Sequence, residues 1–171
     1  MTCTKPIKIN GLLVPCRHCI ACRVAHTREW SMRLVNELDY WDHAAFTTLT
    51  YDDDHLPQDN GLHKRDLQLF FKRLRKETLG NYKYYAAGEY GGRFGRPHYH
   101  MIVFGLDVIR RDDPLLNLCW PYGFNYSGNV TYDSCRYVAQ YCIDKLSGPM
   151  AEEAYGNRER PFQLQSKGIV S

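Results

Sequence analysis

The chain has 171 residues, 44% hydrophobic and 24% charged, which suits one folded domain with a small appendage and excludes wholesale disorder. No window approaches the roughly eighteen uninterrupted apolar residues of a membrane span, so no membrane partner is expected. The start, with only Gly11 to Pro15 as a short apolar stretch, lacks a signal-peptide core and disfavours secretion.

Net charge is +3, from 22 basic and 19 acidic residues, too mild to mark a nucleic-acid binder by itself. The 13 tyrosines add surfaces for base stacking or phenol chemistry. Cysteines number seven, and four of them, Cys3, Cys16, Cys19 and Cys22, follow the pattern C-x12-C-x2-C-x2-C. Without a signal peptide the thiols stay reduced, so a metal site is favoured over a disulfide framework. Four soft ligands at this spacing suit tetrahedral zinc, with His18 able to replace one thiolate; the competing reading is a set of unrelated buried thiols. Cys119, Cys135 and Cys142 are scattered and read as small core or half-buried residues.

Residues 1–15 look irregular. From Ile20 to Trp41 the positions Val24, Trp30, Leu34, Leu38 and Trp41 form one helical stripe. Ala44 to Tyr51 (AAFTTLTY) reads as a strand and Asp52 to Gly61 as a loop, its Asp52, Asp53 and Asp54 forming a solvated turn. Lys64 to Leu79 is an amphipathic helix over Leu67, Phe70, Phe71 and Leu74, stopped by Gly80. Between Lys64 and Glu77 six basic residues stand against two acidic ones. Lys64, Arg65, Lys72, Arg73 and Arg75 are therefore candidate phosphate contacts, the plainer alternative being a solvated helix face. Strands follow at Tyr82 to Tyr90 and His98 to Phe104, joined by a glycine-rich hairpin loop. Arg93 and Arg96 of that loop complete the expected DNA-binding set. A short helix is expected at Asp113 to Leu118 with Pro114 in its first turn, a weak strand near Asn125 to Thr131, and a last helix from Asp133 to Leu146. Met150 to Ser171 is polar and reads as a partly mobile extension.

From Ala44 the order is β-α-β-β-α-β. This predicts an α+β fold of the ferredoxin-like, split βαβ kind: an antiparallel sheet with helices on one face, preceded by the Cys-rich segment and its helix. The expected division is 1–42, 43–147 and 148–171.

Two constellations carry chemistry. On a strand, His98 and His100 point to one face, and Glu89, counted back across the hairpin, lies beside them. Two imidazoles and a carboxylate make a site for Mn²⁺ or Mg²⁺. On the last helix, Tyr137, Tyr141 and Lys145 recur at i, i+4 and i+8 and form one stripe. A phenol beside a metal-bound phosphate and an ammonium group can act as a nucleophile; two tyrosines packing a helix face is the alternative.

His-hydrophobic-His on a strand with tyrosines on a helix resembles the HUH endonucleases. The combination of PCRHCIACR, FTTLTYDDDHLP, GEYGGRFGRPHYHMIVFG, WPYGF and YVAQYCIDK is most similar to the replication initiators of microviruses, of the gokushovirus type. This resemblance implies rolling-circle replication in the cytoplasm of a bacterial host. It implies metal-dependent nicking and ligation of single-stranded DNA at an origin through a 5′-phosphotyrosine, with a free 3′-OH left as primer. Glu89, His98 and His100 then correspond to metal ligands, Tyr137 and Tyr141 to a two-tyrosine motif, and host helicase and polymerase become expected partners. Gln140 and Asp144 stand where such motifs often place a lysine, leaving Lys145 as the basic residue of the stripe. The competing readings are a non-catalytic single-strand binder and a single-tyrosine HUH transposase or relaxase.

Overall fold

The structure is a computed structural model that describes residues 2–92, 95–141 and 149–170, with the backbone alone of Tyr141. In chain order its elements are β1 (Ile7–Ile9), β2 (Leu12–Val14), α1 (Ile20–Leu38), β3 (Ala44–Tyr51), α2 (Lys64–Glu77), β4 (Lys83–Gly91), β5 (Arg96–Phe104), α3 (Pro114–Cys119), β6 (Gly123–Asn129), α4 (Tyr132–Tyr141), α5 (Pro149–Tyr155) and β7 (Phe162–Gln165). Residues 1–15 are more regular than expected: Ile7 pairs with Val14 and Ile9 with Leu12 in a small hairpin, turned by Asn10 and Gly11, both at positive φ.

The large sheet runs β6-β3-β5-β4-β7 and every neighbouring pair is antiparallel. Strands β3, β4, β5 and β6 have the order of a split βαβ unit: each parallel pair is separated by one strand that runs the other way. The period-two alternation of β3 sorts its side chains cleanly. Ala45, Leu49 and Tyr51 join the cluster that holds Tyr99, Met101 and Val103 of β5 and Leu67, Phe70, Phe71 and Leu74 of α2. The i, i+3, i+4, i+7 spacing of those α2 residues puts all four on one stripe, and each is worth about 1.5–3 kcal/mol of burial. Helix α3 closes the same layer through Leu116 and Cys119. Asp113 caps it by accepting from the N–H groups of Leu115 (2.9 Å) and Leu116 (3.3 Å), and Pro114 occupies the first turn as expected.

The expectation of helices on one face holds for α2 and α3 and is corrected for the rest. Trp30 and Leu34 of α1, with Cys135, Val138 and Ala139 of α4, bury against Tyr85, Ala87, Ile102 and Phe104 on the opposite face. The cause is that β4 and β5 are apolar on both faces at this end, so each face needs a helical cover. The rest of that face, towards β3 and β6, has no such cover: Phe124 and Tyr126 are 58% and 45% exposed.

The segment from Met150 onward is likewise corrected from a mobile extension. Its α5 packs down through buried Ala151, and β7 pairs with β4, Phe162 opposite Gly88. An unpaired β4 edge would leave a row of backbone donors and acceptors exposed, and β7 satisfies them. The chain then ties back to α1. Fully buried Glu37 accepts from Trp41 Nε1, Lys83 Nζ and the Val170 N–H, each at 2.8 Å. Burial pushes its carboxyl up, but the Lys83 and Trp41 hydrogen bonds outweigh this and hold it below the usual carboxylate value. A depressed carboxylate stabilises the fold above its unfolded value, and that contribution is lost as pH falls through the folded one. Glu37→Ala strands three donors, one of them a charge. It should cost about 2–3 kcal/mol in urea unfolding, discounted for the partial exposure of Lys83. Among the described residues no helix is long and apolar enough to cross a membrane.

Candidate metal centre

The register explains how three residues far apart in sequence converge. Glu89 of β4 lies directly opposite His98 of β5, and His100 is two residues further on the same face. The ligand atoms of Glu89, His98 and His100 all lie within 4.8 Å of one another. Nε2 of His98 is 2.5 Å and Nε2 of His100 2.9 Å from Glu89 Oε1. The His98 ring fits because Gly91, two residues after Glu89 on the same face, has no side chain: a Cβ there would stand 2.6 Å from His98 Cε1.

The outer ring nitrogens are held from behind. His98 Nδ1 is 3.0 Å from the carbonyl oxygen of Arg96, which can only accept, so Nδ1 carries the proton. In the neutral ring its Nε2 then presents a lone pair to the carboxylate. Two acceptors face each other unless a proton or a cation lies between them. His100 Nδ1 is 2.9 Å from Thr48 Oγ1, and Phe46 stacks on the ring at 5.9 Å. Ligating histidines are commonly oriented in this way from the second ring nitrogen. Burial pushes the Glu89 carboxyl up, but the hydrogen bonds and charges of His100 and His98 outweigh it and hold it below the usual range. Glu89 Oε2 is buried and has no hydrogen-bond partner among the described residues. Two nitrogens, a carboxylate and an uncommitted buried oxygen fit a divalent cation.

Tyr137 stands at the edge of this cluster. Its ring centroid is 5.3 Å from that of His100 and 5.9 Å from that of Phe46, and it is 39% exposed. Val138, the next residue of α4, is fully buried and anchors the helix. The side chain of Tyr141 lies outside the described residues, as do Lys145, Cys142 and Arg93.

The basic residues of α2 are not brought to this cluster, because α2 packs on the opposite face of the sheet. Arg73 donates to Cys119 O and Tyr122 Oη, both at 3.3 Å. Arg75 lies 5.7 Å over the ring of Tyr82 and Lys64 5.1 Å over that of Phe162. Arg65 and Lys72 point to solvent. Arg96 starts β5, two residues before His98, and its guanidinium is held by Asp53 (3.0 Å) and Tyr51 O (2.8 Å). Asp52 accepts from the backbone N–H of His55 at 2.8 Å, so the acidic triplet is a turn, as read.

A second cluster lies at the other end of the chain. The sulfurs of Cys3, Cys16, Cys19 and Cys22 also lie within 4.8 Å of one another and could hold a metal ion. Cys19 caps α1 and Cys22 falls in its first turn, so the helix start presents two of the four sulfurs. The N–H groups of Cys16 and Cys19 donate to the sulfurs of Cys3 and Cys16, each at 3.3 Å. Backbone donors at Thr4 and Cys22 pull the Cys19 thiol down to about 5; those of Cys19 and His18 lower Cys16. Desolvation pushes Cys22 up to about 12. His18 stays outside this set and is exposed. Cys119 and Cys135 are fully buried, as expected for core thiols.

The sequence reading missed Thr48 and Gly91. The only signal for them was their place opposite or beside a histidine, which becomes visible once the strand register is known.

The chain is 37% identical over 164 residues to "Replication-associated protein VP4" of Bdellovibrio phage phiMH2K, covering 82% of this chain and 51% of that protein. It is 35% identical over 156 residues to "Replication-associated protein ORF2" of Spiroplasma virus 4 (78% and 48%). It is 32% identical over 162 residues to "Replication-associated protein ORF4" of Chlamydia phage 1 (82% and 40%). The chain thus spans about half the length, or less, of these curated relatives. No solved structure matches it. The replication-associated protein ORF2 family matches residues 44–146, which take in β3 to β6, the Glu89–His98–His100 cluster and Tyr137. In agreement with the resemblance to microvirus initiators, the chain belongs to this family of replication-associated proteins.

Proposed function

We propose that this chain acts in phage DNA replication as a metal-dependent single-strand nickase and ligase of the HUH type, with a tyrosine as nucleophile. The observation that carries the reading is the position of the Tyr137 ring, 5.3 Å from His100 at the edge of a three-residue cation site. Glu89, His98 and His100 would hold Mn²⁺ or Mg²⁺. Such an ion supplies polarisation of a non-bridging oxygen on the scissile phosphate. Thr48 and the Arg96 carbonyl keep the two imidazoles aimed at it. The tyrosine hydroxyl attacks phosphorus in line; its O–H proton is released, the O–P bond forms, and the bond from phosphorus to the 3′ oxygen breaks. The departing oxygen takes up a proton and becomes the 3′-OH primer, and the 5′-phosphotyrosine keeps the ester available for rejoining. Tyr141 and Lys145 complete the proposed machinery, Lys145 stabilising charge on the reacting oxygens. Arg96 and Arg93 would flank the strand, and exposed Arg65 and Lys72 would meet DNA that passes round the other layer. The proposed setting is the cytoplasm of a bacterial host, with host helicase and polymerase completing the round.

The deciding experiment mixes the protein with labelled origin-bearing single-stranded DNA and Mn²⁺ and runs a denaturing gel. A covalent protein–DNA band is expected. Its absence leaves the non-catalytic single-strand binder.

The four cysteines are proposed to hold one structural zinc ion that ties residues 1–25 to the start of α1. Elemental analysis after dialysis should find one zinc per chain. Cys16→Ser and Cys19→Ser should lose the metal and lower the melting temperature. If both leave metal content and melting temperature as they were, the zinc assignment is wrong.

A further inference from the structure

The face that carries the cation site continues past it to the edge of the sheet. In the register, Glu89, His98, Thr50 and Phe124 form one row across β4, β5, β3 and β6, and Ala87, His100, Thr48 and Tyr126 form the next. Phe124 and Tyr126 therefore lie on the ligand face, two strands from the histidines, or about 10 Å at the usual strand spacing. Both are well exposed, at 58% and 45%, whereas Tyr51, Tyr85, Tyr99, Phe70, Phe104 and Trp120 are fully buried. Tyr126 lies along the strand over Gly128, where an added Cβ would stand 3.4 Å from its hydroxyl, so the ring lies low against the sheet. The segment 110–112 pairs with the outer edge of β6, Ser127 N donating to Arg110 O and Asp112 N to Asn125 O, each at 2.9 Å. That pairing sets the Arg111 guanidinium 5.3 Å over the Tyr126 ring. Thr48, Thr50, Arg111, Phe124 and Tyr126 line an open recess of about 200 Å³.

We infer that Phe124, Tyr126 and Arg111 form a stacking platform for nucleobases of the single strand next to the scissile phosphate. This rests on the nickase reading above and names how that site holds its substrate. Two exposed rings on a flat sheet, in line with a phosphate-directed cation site and with a guanidinium beside them, match the two parts of a single strand. The bases offer π faces and the backbone offers negative charge. A purely apolar protein partner would leave Arg111 and the alignment with the ligand rows without a role. Thr48 and Thr50 keep the floor between platform and ligands low, so one strand can lie across both.

The test measures binding of a fluorescent oligothymidylate in EDTA, where no cleavage is needed, and compares it with a wholly abasic strand of the same length. Phe124→Ala and Tyr126→Ala should each weaken oligothymidylate binding roughly 5- to 100-fold, the range for loss of one base–aromatic stack. Both should leave abasic-strand binding close to wild type, and Phe124→Trp should restore affinity. Melting temperature should not move, since both rings are exposed. Equal losses on the two strands would show a role unrelated to the bases, and unchanged affinity for oligothymidylate would overturn the platform outright. A change in oligomeric mass in Phe124→Ala without a change in DNA binding would make this face a contact between protein chains instead, and would also overturn it. The nickase reading is scored separately by the covalent adduct. Adduct formation with an inert platform sinks only the platform, and a working platform without adduct sinks only the nickase.

Discussion

His98→Ala and His100→Ala should each abolish the covalent protein–DNA adduct while leaving single-strand binding largely intact. The three ligand atoms share one small volume and leave a buried carboxylate oxygen uncommitted, so removing one imidazole leaves two protein ligands for an ion that needs several. EDTA should have the same effect on the unaltered protein, and Mn²⁺ or Mg²⁺ should reverse it. Thr48→Val should be milder. It keeps both imidazoles but removes the hydroxyl 2.9 Å from His100 Nδ1, and loss of such an orienting partner typically costs about 10- to 100-fold in metal affinity or activity. The adduct in Thr48→Val should therefore return at raised Mn²⁺, whereas His100→Ala should not be rescued. Full adduct formation in strict absence of divalent ions would refute the cation assignment.

The second large effect concerns the tyrosines. Tyr137→Phe and Tyr141→Phe should each retain some adduct, and the double substitution should form none. Residues four apart on a helix differ by about 6 Å in rise, so one cation site can serve either oxygen after a small shift of the strand. Removing a nucleophilic oxygen ends the covalent route through that residue, whereas removing a packing hydroxyl costs only about 1 kcal/mol. The two roles therefore separate on a gel. The single substitutions should fail at the handover that completes a round, which an assay of circular product reads directly. If Tyr137→Phe alone removes all adduct and Tyr141→Phe behaves as wild type, this is a single-tyrosine enzyme. The ring contact of Tyr137 with His100 would then mark the sole nucleophile.

Local pattern was enough to read the strand at Ala44–Tyr51, the helix face of Leu67, Phe70, Phe71 and Leu74, and the cap at Asp113, because each depends on residues within one or two turns of each other. The candidate ligands were legible for the same reason. His98 and His100 share a face by strand periodicity, Glu89 follows from counting back through a short hairpin, and Cys16, Cys19 and Cys22 are close in sequence. The basic stripe of α2 was equally legible as a charge pattern, but its relation to the site was not. Which face of the sheet a helix covers depends on where the apolar surfaces of other elements lie, and α2 went to the face away from His98 and His100.

By itself, then, the sequence determined the identity of the ligands, the alternation of elements and the four-cysteine cluster. Tertiary structure alone decided the rest. It placed α1 and α4 over one end of the ligand face, because Tyr85, Ile102 and Phe104 needed cover there. It recruited β7 to the open edge of β4, because unpaired backbone groups at an edge seek a partner wherever the chain can supply one. And it set Thr48 behind His100, and Phe124 and Tyr126 in the same rows as the histidines. Register between strands separated by many residues is a property of the assembled sheet, fixed by packing on both faces at once.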